Sequence, residues 1–235
     1  MTPRTHRVPS SLVRTRLGIL GGWAAVVAYA ALLIVAGVDG AQQQGRVDRQ
    51  VASTTAADRF VAAWERSRTA TFVTAGTYER SSPVTGARIA SQDILAQRPP
   101  RRLHRQLGGV DGRDDDRLVV CPAAPEGTDG PAPCHLGEAG GTTYAESVMG
   151  EVDALGSMVA GLDPLYAVTE IEAGCFSLKQ TRAEPRAPFG IRARFCFDAS
   201  TGAPSASRVE YNGGIVEVFA ATEIRTDVGD ADLQP

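Results

Sequence analysis

The sequence predicts an α+β domain in which helices pack on one face of an antiparallel sheet, preceded by one transmembrane helix. Three observations lead to this fold class. Residues 17–38 form an uncharged apolar segment, two later stretches have helical hydrophobic periodicity, and strand-like runs are joined by short turns. With 43% hydrophobic and 22% charged residues among 235, the chain has the composition of a globular protein and not of a disordered one.

The charge of the chain bears on its partners. Its net charge is −3 at pH 7, which argues against a nucleic-acid-binding protein. Nearly all the basic residues are arginine, since Lys179 is the only lysine, and this bias is typical of high-GC coding. The composition therefore predicts no nucleic-acid partner and no charge-driven attraction of the outer domain to an anionic surface.

The apolar segment 17–38 contains 22 residues without a charge. At about 1.5 Å per residue, a helix of this length crosses a hydrocarbon core of about 30 Å. Four arginines precede it in residues 1–16, so the positive-inside rule predicts a cytoplasmic tail there and an extracytoplasmic remainder in a single-pass cell-membrane protein. A cleaved signal peptide is the alternative, although its apolar core is usually shorter, at about 7–15 residues.

Composition then divides the remainder of the chain. Residues 39–55 are polar and predict a linker. A folded domain is expected over 56–228, long enough to bury its own core, followed by a tail at 229–235.

Elements of the first half follow from local patterns. Thr55 and Asp58 resemble a capping box before a short helix that ends at Ser67 and Arg68. Strands are then expected at 69–81, 88–97, 101–108 and 117–121, with turns at Pro83–Gly86, at Pro99–Pro100 and over 112–116. The run of three aspartates at 114–116 lacks the alternation of a calcium loop and is interpreted as a solvated turn.

The second half contains the strongest helical pattern. Thr143 and Glu146 form a capping box directly before an apolar stripe with steps of three and four residues. Gly161 and Pro164 predict its end. Four strands are expected after it, at about 165–181, 189–198, 207–211 and 214–227, with Asn212–Gly213 as a type I′ hairpin turn.

The four cysteines predict two disulfides. No CxxC motif occurs, so a zinc site is not expected, and beyond a membrane span disulfides are the usual state. Cys175 and Cys196 occupy the same face of consecutive predicted strands, and Cys121 and Cys134 flank a loop rich in proline and glycine. The predicted pairs are Cys121 with Cys134 and Cys175 with Cys196, in a structural role.

No catalytic signature is present. The chain lacks GxSxG, Walker A and Rossmann motifs, and no two histidines have metal-ligand spacing. Neither an enzyme, a metal site nor a cofactor is therefore predicted. One basic patch could hold an anionic head group or an acidic partner, or could simply be the exposed face of a strand. It comprises Arg98, Arg101, Arg102 and Arg105.

Several of these segments resemble the lipoprotein-carrier family of LolA and LolB, which includes the mycobacterial lipid-binding proteins of the LppX and LprG type. The resemblance rests on the paired strands TATFVTAGTYERSS and ARIASQDILAQ, on RPPRRL, on VDGR before RLVV, and on FCFDASTGAP. It covers about 60–227. It implies a half-open antiparallel barrel, or curved sheet, with helices on its concave face around a hydrophobic cavity. The predicted membrane anchor differs from those soluble or lipidated carriers and favours local lipid handling or partner docking over shuttling.

Two functions follow as expectations. The first is a membrane-anchored module that binds a hydrophobic, lipid-like ligand between the sheet and the helix that begins at Thr143. The second is an interaction or regulatory module with a filled core whose partner is another envelope protein. An open cavity of several hundred Å³ would favour the first. The expected cavity residues are Phe72, Tyr78, Leu95, Val148, Val152, Leu155, Phe176, Phe195 and Phe197.

Overall fold

The computed structural model describes residues 56–123 and 133–235. The predicted cytoplasmic tail 1–16, transmembrane helix 17–38 and linker 39–55 lie outside these residues. Within the described ranges, no helix is both long enough and apolar enough to span a bilayer. The helices are α1 (56–69) and α2 (Tyr144–Val159). The strands are β1 (Phe72–Ser81), β2 (Arg88–Arg98), β3 (Arg101–Gln106), β4 (Gly109–Asp114), β5 (Arg117–Cys121), β6 (His135–Leu136), β7 (Tyr166–Glu172), β8 (Cys175–Gln180), β9 (Arg192–Phe197), β10 (Pro204–Glu210) and β11 (Val216–Arg225).

The described strands form one antiparallel sheet of eleven, in the order β6-β5-β4-β3-β2-β1-β11-β10-β9-β8-β7. β1 lies at its centre and pairs with β2 on one side and with β11 on the other. Each strand from β1 to β6 pairs with its sequence neighbour, and so does each from β7 to β11. The predicted antiparallel sheet is therefore confirmed, and its two halves meet where the last strand returns to the first.

Helix α1 places its apolar side against the sheet. Phe60 is fully buried, and Trp64 lies one turn later beside it, with ring centroids 5.8 Å apart. The helix continues to residue 69, past the predicted end at Ser67. The hydroxyls of Ser67 and Thr69 donate to the carbonyls of Trp64 and Glu65, so these polar side chains are satisfied within the helix and do not end it.

Helix α2 begins as the sequence predicts. The side chain of Thr143 accepts a hydrogen bond from the main chain of Glu146, whose carboxylate accepts one in return from the main chain of Thr143. The helix ends at Val159, earlier than the periodicity suggested, so Leu162 is 97% exposed beyond it. The residues of α2 that are buried are Tyr144, Val148, Leu155 and Val159.

Two predicted turns and one predicted strand differ from the structure. Residues 109–114 form strand β4, because Gly112 permits a close approach: a Cβ there would lie 2.2 Å from the carbonyl oxygen of Arg102. The single strand expected at 165–181 is two, β7 and β8, since Gly174 turns the chain at a φ of +76°. Between β10 and β11, Gly213 and Gly214 take positive φ angles, not Asn212, so the loop is longer than a two-residue I′ turn.

The main core lies under the two helices and occupies only half of the sheet. Phe60 of α1 and Leu155 of α2 belong to one buried cluster with residues from β7 to β10. Phe176 and Leu178 of β8 point into this cluster, as the alternation predicts. No helix of residues 56–123 and 133–235 packs across the inner face of the other half, from β11 through β1 to β3.

The domain extends past residue 228, where a tail was expected. Residues Asp230–Leu233 form a short 3-10 helix on the outer face of the sheet, and Leu233 is 1% exposed against Val73 and Ala96. Its burial fixes this end of the chain to β1 and β2.

Candidate functional site

A cavity of about 450 Å³ lies on the inner face of the sheet, beside the core that the helices cover. Its floor comes from β1, β2, β3, β9, β10 and β11, and its wall on one side comes from α1. Both described helices pack on the half of the sheet from β7 to β10, and the cavity lies over the half that neither of them covers. The cavity thus follows from the position of the helices.

Aromatic side chains form the wall nearest the core. Trp64 contacts Phe195 edge-to-face with ring centroids 5.4 Å apart, and Phe197 at 6.2 Å. Phe189 packs against both Trp64 and Phe195, at 5.5 and 5.2 Å. Aromatic rings prefer such edge-to-face contacts over face-to-face stacking. The cluster gives the cavity an apolar wall.

An aromatic row crosses the floor of the cavity. In the strand register, Phe195 of β9 lies opposite Ser207 of β10, which lies opposite Phe219 of β11. Phe219 in turn lies opposite Tyr78 of β1. All four residues line the cavity. The small Ser207 between two phenylalanines leaves room above the sheet at this point of the row.

Polar residues of β2, β3 and β4 form the far side. Nε2 of His104 lies 3.1 Å from both carboxylate oxygens of Asp93, and Nδ1 lies 3.5 Å from Oδ1 of Asp111. Gln106 donates to Asp93 at 2.6 Å. Burial alone would lower the pKa of His104, but hydrogen bonds to Asp111 and Asp93 outweigh it and raise that pKa to about 9. His104 therefore carries a proton at neutral pH between two carboxylates.

A second group of polar side chains lies at the side of the cavity formed by β1 and β11. Arg80 lies 3.6 Å from Glu217, and the hydroxyl of Tyr211 donates to Glu217 at 3.1 Å. Burial, followed by the charge of Glu217, raises the pKa of Tyr211 to about 12 and raises the pKa of Tyr78. Both phenols therefore stay neutral and serve as hydrogen-bonding groups at physiological pH.

The edge of the cavity near the helices is held by Arg68. Its guanidinium lies 2.8 Å from Glu151 of α2 and 4.7 Å from the centroid of the Trp64 ring. Tyr144 of α2 donates its hydroxyl hydrogen to the main-chain carbonyl of Arg68 at 2.6 Å. A second cavity of about 230 Å³ lies beyond, under the start of α2, and Arg68 and Arg102 line both.

The nine residues expected to line a ligand cavity are divided by the structure. Four line the main cavity: Tyr78, Leu95, Phe195 and Phe197. Val148 lines the smaller one. Leu155 and Phe176 are buried in the main core, Phe72 in a cluster with Leu95, and Val152 is half-buried on α2 away from both cavities. The reason is that α2 fills the space over β7 and β8 with its own side chains.

The predicted basic patch is also divided, because strand residues alternate between faces. Arg98 pairs with Asp230 at 2.5 Å, Arg101 donates to the carbonyl of Leu233 at 2.9 Å, and Arg105 donates to that of Asp232 at 3.0 Å. These three hold the C-terminal segment on the outer face. Arg102 alone faces the cavity.

Several cavity residues were not singled out from the sequence. They are Asp93, His104 and Gln106. Asp93 lies two residues before the predicted Leu95 in β2, and His104 and Gln106 alternate in β3, so register places all three on the same inner face as Leu95. That pairing was already implied by the predicted hairpin around Pro99–Pro100. The position of Trp64 could not be found this way, since it depends on how α1 docks.

Both predicted disulfides are confirmed. Cys121 is bonded to Cys134, and Cys175 to Cys196, which face each other in the register of β8 and β9. Within residues 56–123 and 133–235, the side chains that come together as metal ligands do are Glu172, Cys175 and Cys196. Their two sulfurs are joined to each other, so neither is a thiolate ligand.

No family model matches this chain, and no curated protein matches it. Solved structures do resemble it. The MucA/MucB complex of Pseudomonas aeruginosa matches at 16% identity with a TM-score of 0.45, over 77% of this chain and 61% of that chain. A LolA superfamily protein of Nitrosomonas europaea matches at 10% identity and 0.30, over 76% and 97%. A DUF1329 family protein of Desulfovibrio piger matches at 8% and 0.32, over 78% and 97%.

This chain therefore spans 61% of the chain that it matches in the MucA/MucB complex. All of these TM-scores lie below 0.5. The architecture itself is a curved antiparallel sheet with two helices packed on its inner face.

Proposed function

We propose that the domain is a non-enzymatic binding module that holds one hydrophobic, lipid-like ligand in the cavity of the inner sheet face. The observation that carries this proposal is the cavity itself: about 450 Å³, bounded by Trp64, Phe195 and Phe219. Ligand sites in proteins usually measure about 300–1,000 Å³ and combine apolar walls with a few polar groups. A module with a filled core would lack this volume, so the alternative function is less favoured.

The two sides of the cavity indicate how a ligand would lie. An apolar chain has its best contacts along the row of Phe195, Phe219 and Tyr78, where it would be removed from water. The opposite side, with Asp93 and His104, is polar and would stay hydrated or meet a polar group. The ligand would therefore have an apolar body and a polar end.

We further propose that segment 17–38 anchors this domain to the cell membrane on the extracytoplasmic side. The support comes from the uncharged segment of 22 residues, the arginines before it and the two disulfides of the domain. An anchored domain would take a lipid from, or present it at, the membrane that holds it. An envelope protein partner could receive or sense that lipid.

The chain provides its own reporter for a test. It has two tryptophans, and after Trp23→Phe the remaining one, Trp64, lines the cavity. Purified full-length chain in amphipol, titrated with cis-parinaric acid, should show energy transfer from Trp64 to the bound polyene. Native mass spectrometry of the same sample should show a co-purified lipid bound one to one.

Ser207→Phe should fill the middle of the aromatic row. The concentration of cis-parinaric acid that gives half-maximal energy transfer should then rise at least tenfold. Thr77→Phe is the matched control, because it adds the same ring to an exposed position of β1. Absence of saturable transfer in the Trp23→Phe chain, or equal loss in both phenylalanine variants, would reject the proposed site.

A further inference from the structure

Arg102 occupies an unusual position in β3. It lines both the main cavity and the smaller cavity under α2, so its guanidinium stands where the two volumes meet. Its neighbours in sequence, Arg101 and Leu103, face the outer side of the sheet. Arg102 is therefore a cation turned inward from the sheet.

The other cations of the cavity already have anionic partners. Arg68 is paired with Glu151, Arg80 with Glu217, and His104 with Asp93. Arg102 forms no ion pair or hydrogen bond with the described part of the chain. Its Nε is buried without a partner, and it is the only charged group in that condition there, the other two such atoms being Ser91 Oγ and Gln97 Oε1.

A guanidinium whose Nε is buried without a partner is costly for a fold. Buried charges in proteins are normally paired, because the lost hydration is not otherwise replaced. Burial and the nearby charge of Arg68 lower the pKa of Arg102 to about 10, and at neutral pH the side chain is still protonated. Glu151 and Asp111 lie close enough to act on it, yet each is engaged elsewhere, with Arg68 and with His104. The site thus has an unpaired guanidinium, with free N–H donors, where the main cavity meets the smaller one.

We propose that Arg102 binds the anionic head group of the ligand, a carboxylate or a phosphate, while the apolar chain of the same molecule lies along the aromatic row. This inference rests on the proposed function and specifies its ligand class as an anionic amphiphile. Guanidinium binds both of these anions through paired N–H donors in a fixed fork. Arg68, whose Nε and Nη2 hold Glu151, adds positive charge beside it.

Two probes that differ only in charge test the inference. In the full-length Trp23→Phe chain in amphipol at pH 7.5, cis-parinaric acid should bind at least tenfold more tightly than its methyl ester. A tenfold ratio in affinity corresponds to about 1.4 kcal/mol of binding free energy, which a charge-assisted hydrogen bond can supply. Arg102→Gln should reduce the affinity for the acid towards that for the ester, and Arg102→Lys should keep part of the preference. Arg101→Gln is the control: it removes a neighbouring arginine on the outer face and should keep the full ratio.

Each result has one meaning. If the Trp23→Phe chain binds the acid and the ester equally well, the proposed role of Arg102 is wrong but the proposed function is not affected. Binding of neither probe rejects the proposed function itself. If Arg102→Gln weakens acid and ester equally, Arg102 is structural and the inference is wrong. Isothermal titration with inorganic phosphate tests whether the anion is a free ion. If phosphate binds as tightly as the acid, the site is for a free anion and not for an amphiphile. If Arg102→Gln does not fold, the acid-to-ester affinity ratio is compared between the Trp23→Phe chain and the same chain with Arg102→Lys. The inference requires a ratio of at least tenfold with arginine and a smaller one with lysine.

Discussion

The indole Nε1 of Trp64 donates a hydrogen bond to Oε1 of Glu151 at 3.0 Å, and this bond joins the two helices at the edge of the cavity. The same carboxylate accepts hydrogen bonds from Nε and Nη2 of Arg68, whose guanidinium also lies over the indole ring. One acidic side chain therefore fixes both the aromatic wall and the cation beside it.

Substitution of Glu151 should separate these two roles. Glu151→Gln keeps an acceptor for the indole but loses the charge that holds Arg68, whereas Glu151→Ala loses both. Glutamine should lower the free energy of unfolding by about 1 kcal/mol and alanine by about 2 kcal/mol. Urea unfolding followed by Trp64 fluorescence measures both, and a larger loss for glutamine than for alanine would contradict the assignment.

Much of the fold follows from local patterns in the sequence. The Thr143 capping box, the alternation around Cys175 and Cys196, and the antiparallel hairpins of consecutive strands follow from local sequence patterns, and the structure has them. Strand β4 was missed because Gly112 looks like a turn residue. Its glycine instead allows close contact with the main chain of Arg102, which is not visible from composition.

The candidate site was less predictable, for a physical reason. Phe176 and Phe195 both have the pattern of inward-facing strand residues, yet the first is under the helices and the second lines the cavity. Their difference depends on which half of the sheet the helices cover. Likewise, four arginines close in sequence are divided between two faces, and the three outer ones are satisfied by the C-terminal segment about 130 residues later.

His104 predicts a specific dependence of stability on pH. Its pKa in the folded domain is about 9, above the ordinary value of 6.5, so the folded state binds the proton more tightly. The stabilisation is complete below about pH 6.5 and is lost as the pH rises through 9. It is on the order of 3 kcal/mol by linkage. Chemical unfolding of the full chain at pH 6.0 and 9.5 should show this decrease.

His104→Gln should remove that decrease, since glutamine does not titrate. His135→Gln is the comparison, because His135 lies on the exposed β6 strand. A pH profile that stays unchanged in His104→Gln, or that changes equally in both variants, would show that another group is responsible.

The Cys175–Cys196 bond should stabilise the hairpin of β8 and β9, because it lowers the conformational entropy of the unfolded chain. It closes a loop with a sequence separation of 21, for which the entropic account gives about 3 kcal/mol. Replacement of both cysteines by alanine should lower the free energy of unfolding by about that amount. The Cys121–Cys134 bond, with a separation of 13, should contribute similarly, and since β5 and β8 lie in opposite halves of the sheet the two losses should add. Urea midpoints that do not change on removal of either bond would contradict this.

Leu155 tests whether α2 is permanent core or a movable cover. Its side chain is 1% exposed in the cluster that contains Phe60 and Phe176, while the cavity lies beside this cluster and not beneath it. Leu155→Asp should therefore place a carboxylate in an apolar site and lower the free energy of unfolding by about 4 kcal/mol or more, enough to unfold many domains. Met149→Asp is the matched control on the same helix, because Met149 is 59% exposed, and it should leave the melting temperature nearly unchanged. If Leu155→Asp instead keeps the melting temperature but loses binding of cis-parinaric acid, the helix is a lid that opens over the ligand, because lids belong to the least stable parts of a structure.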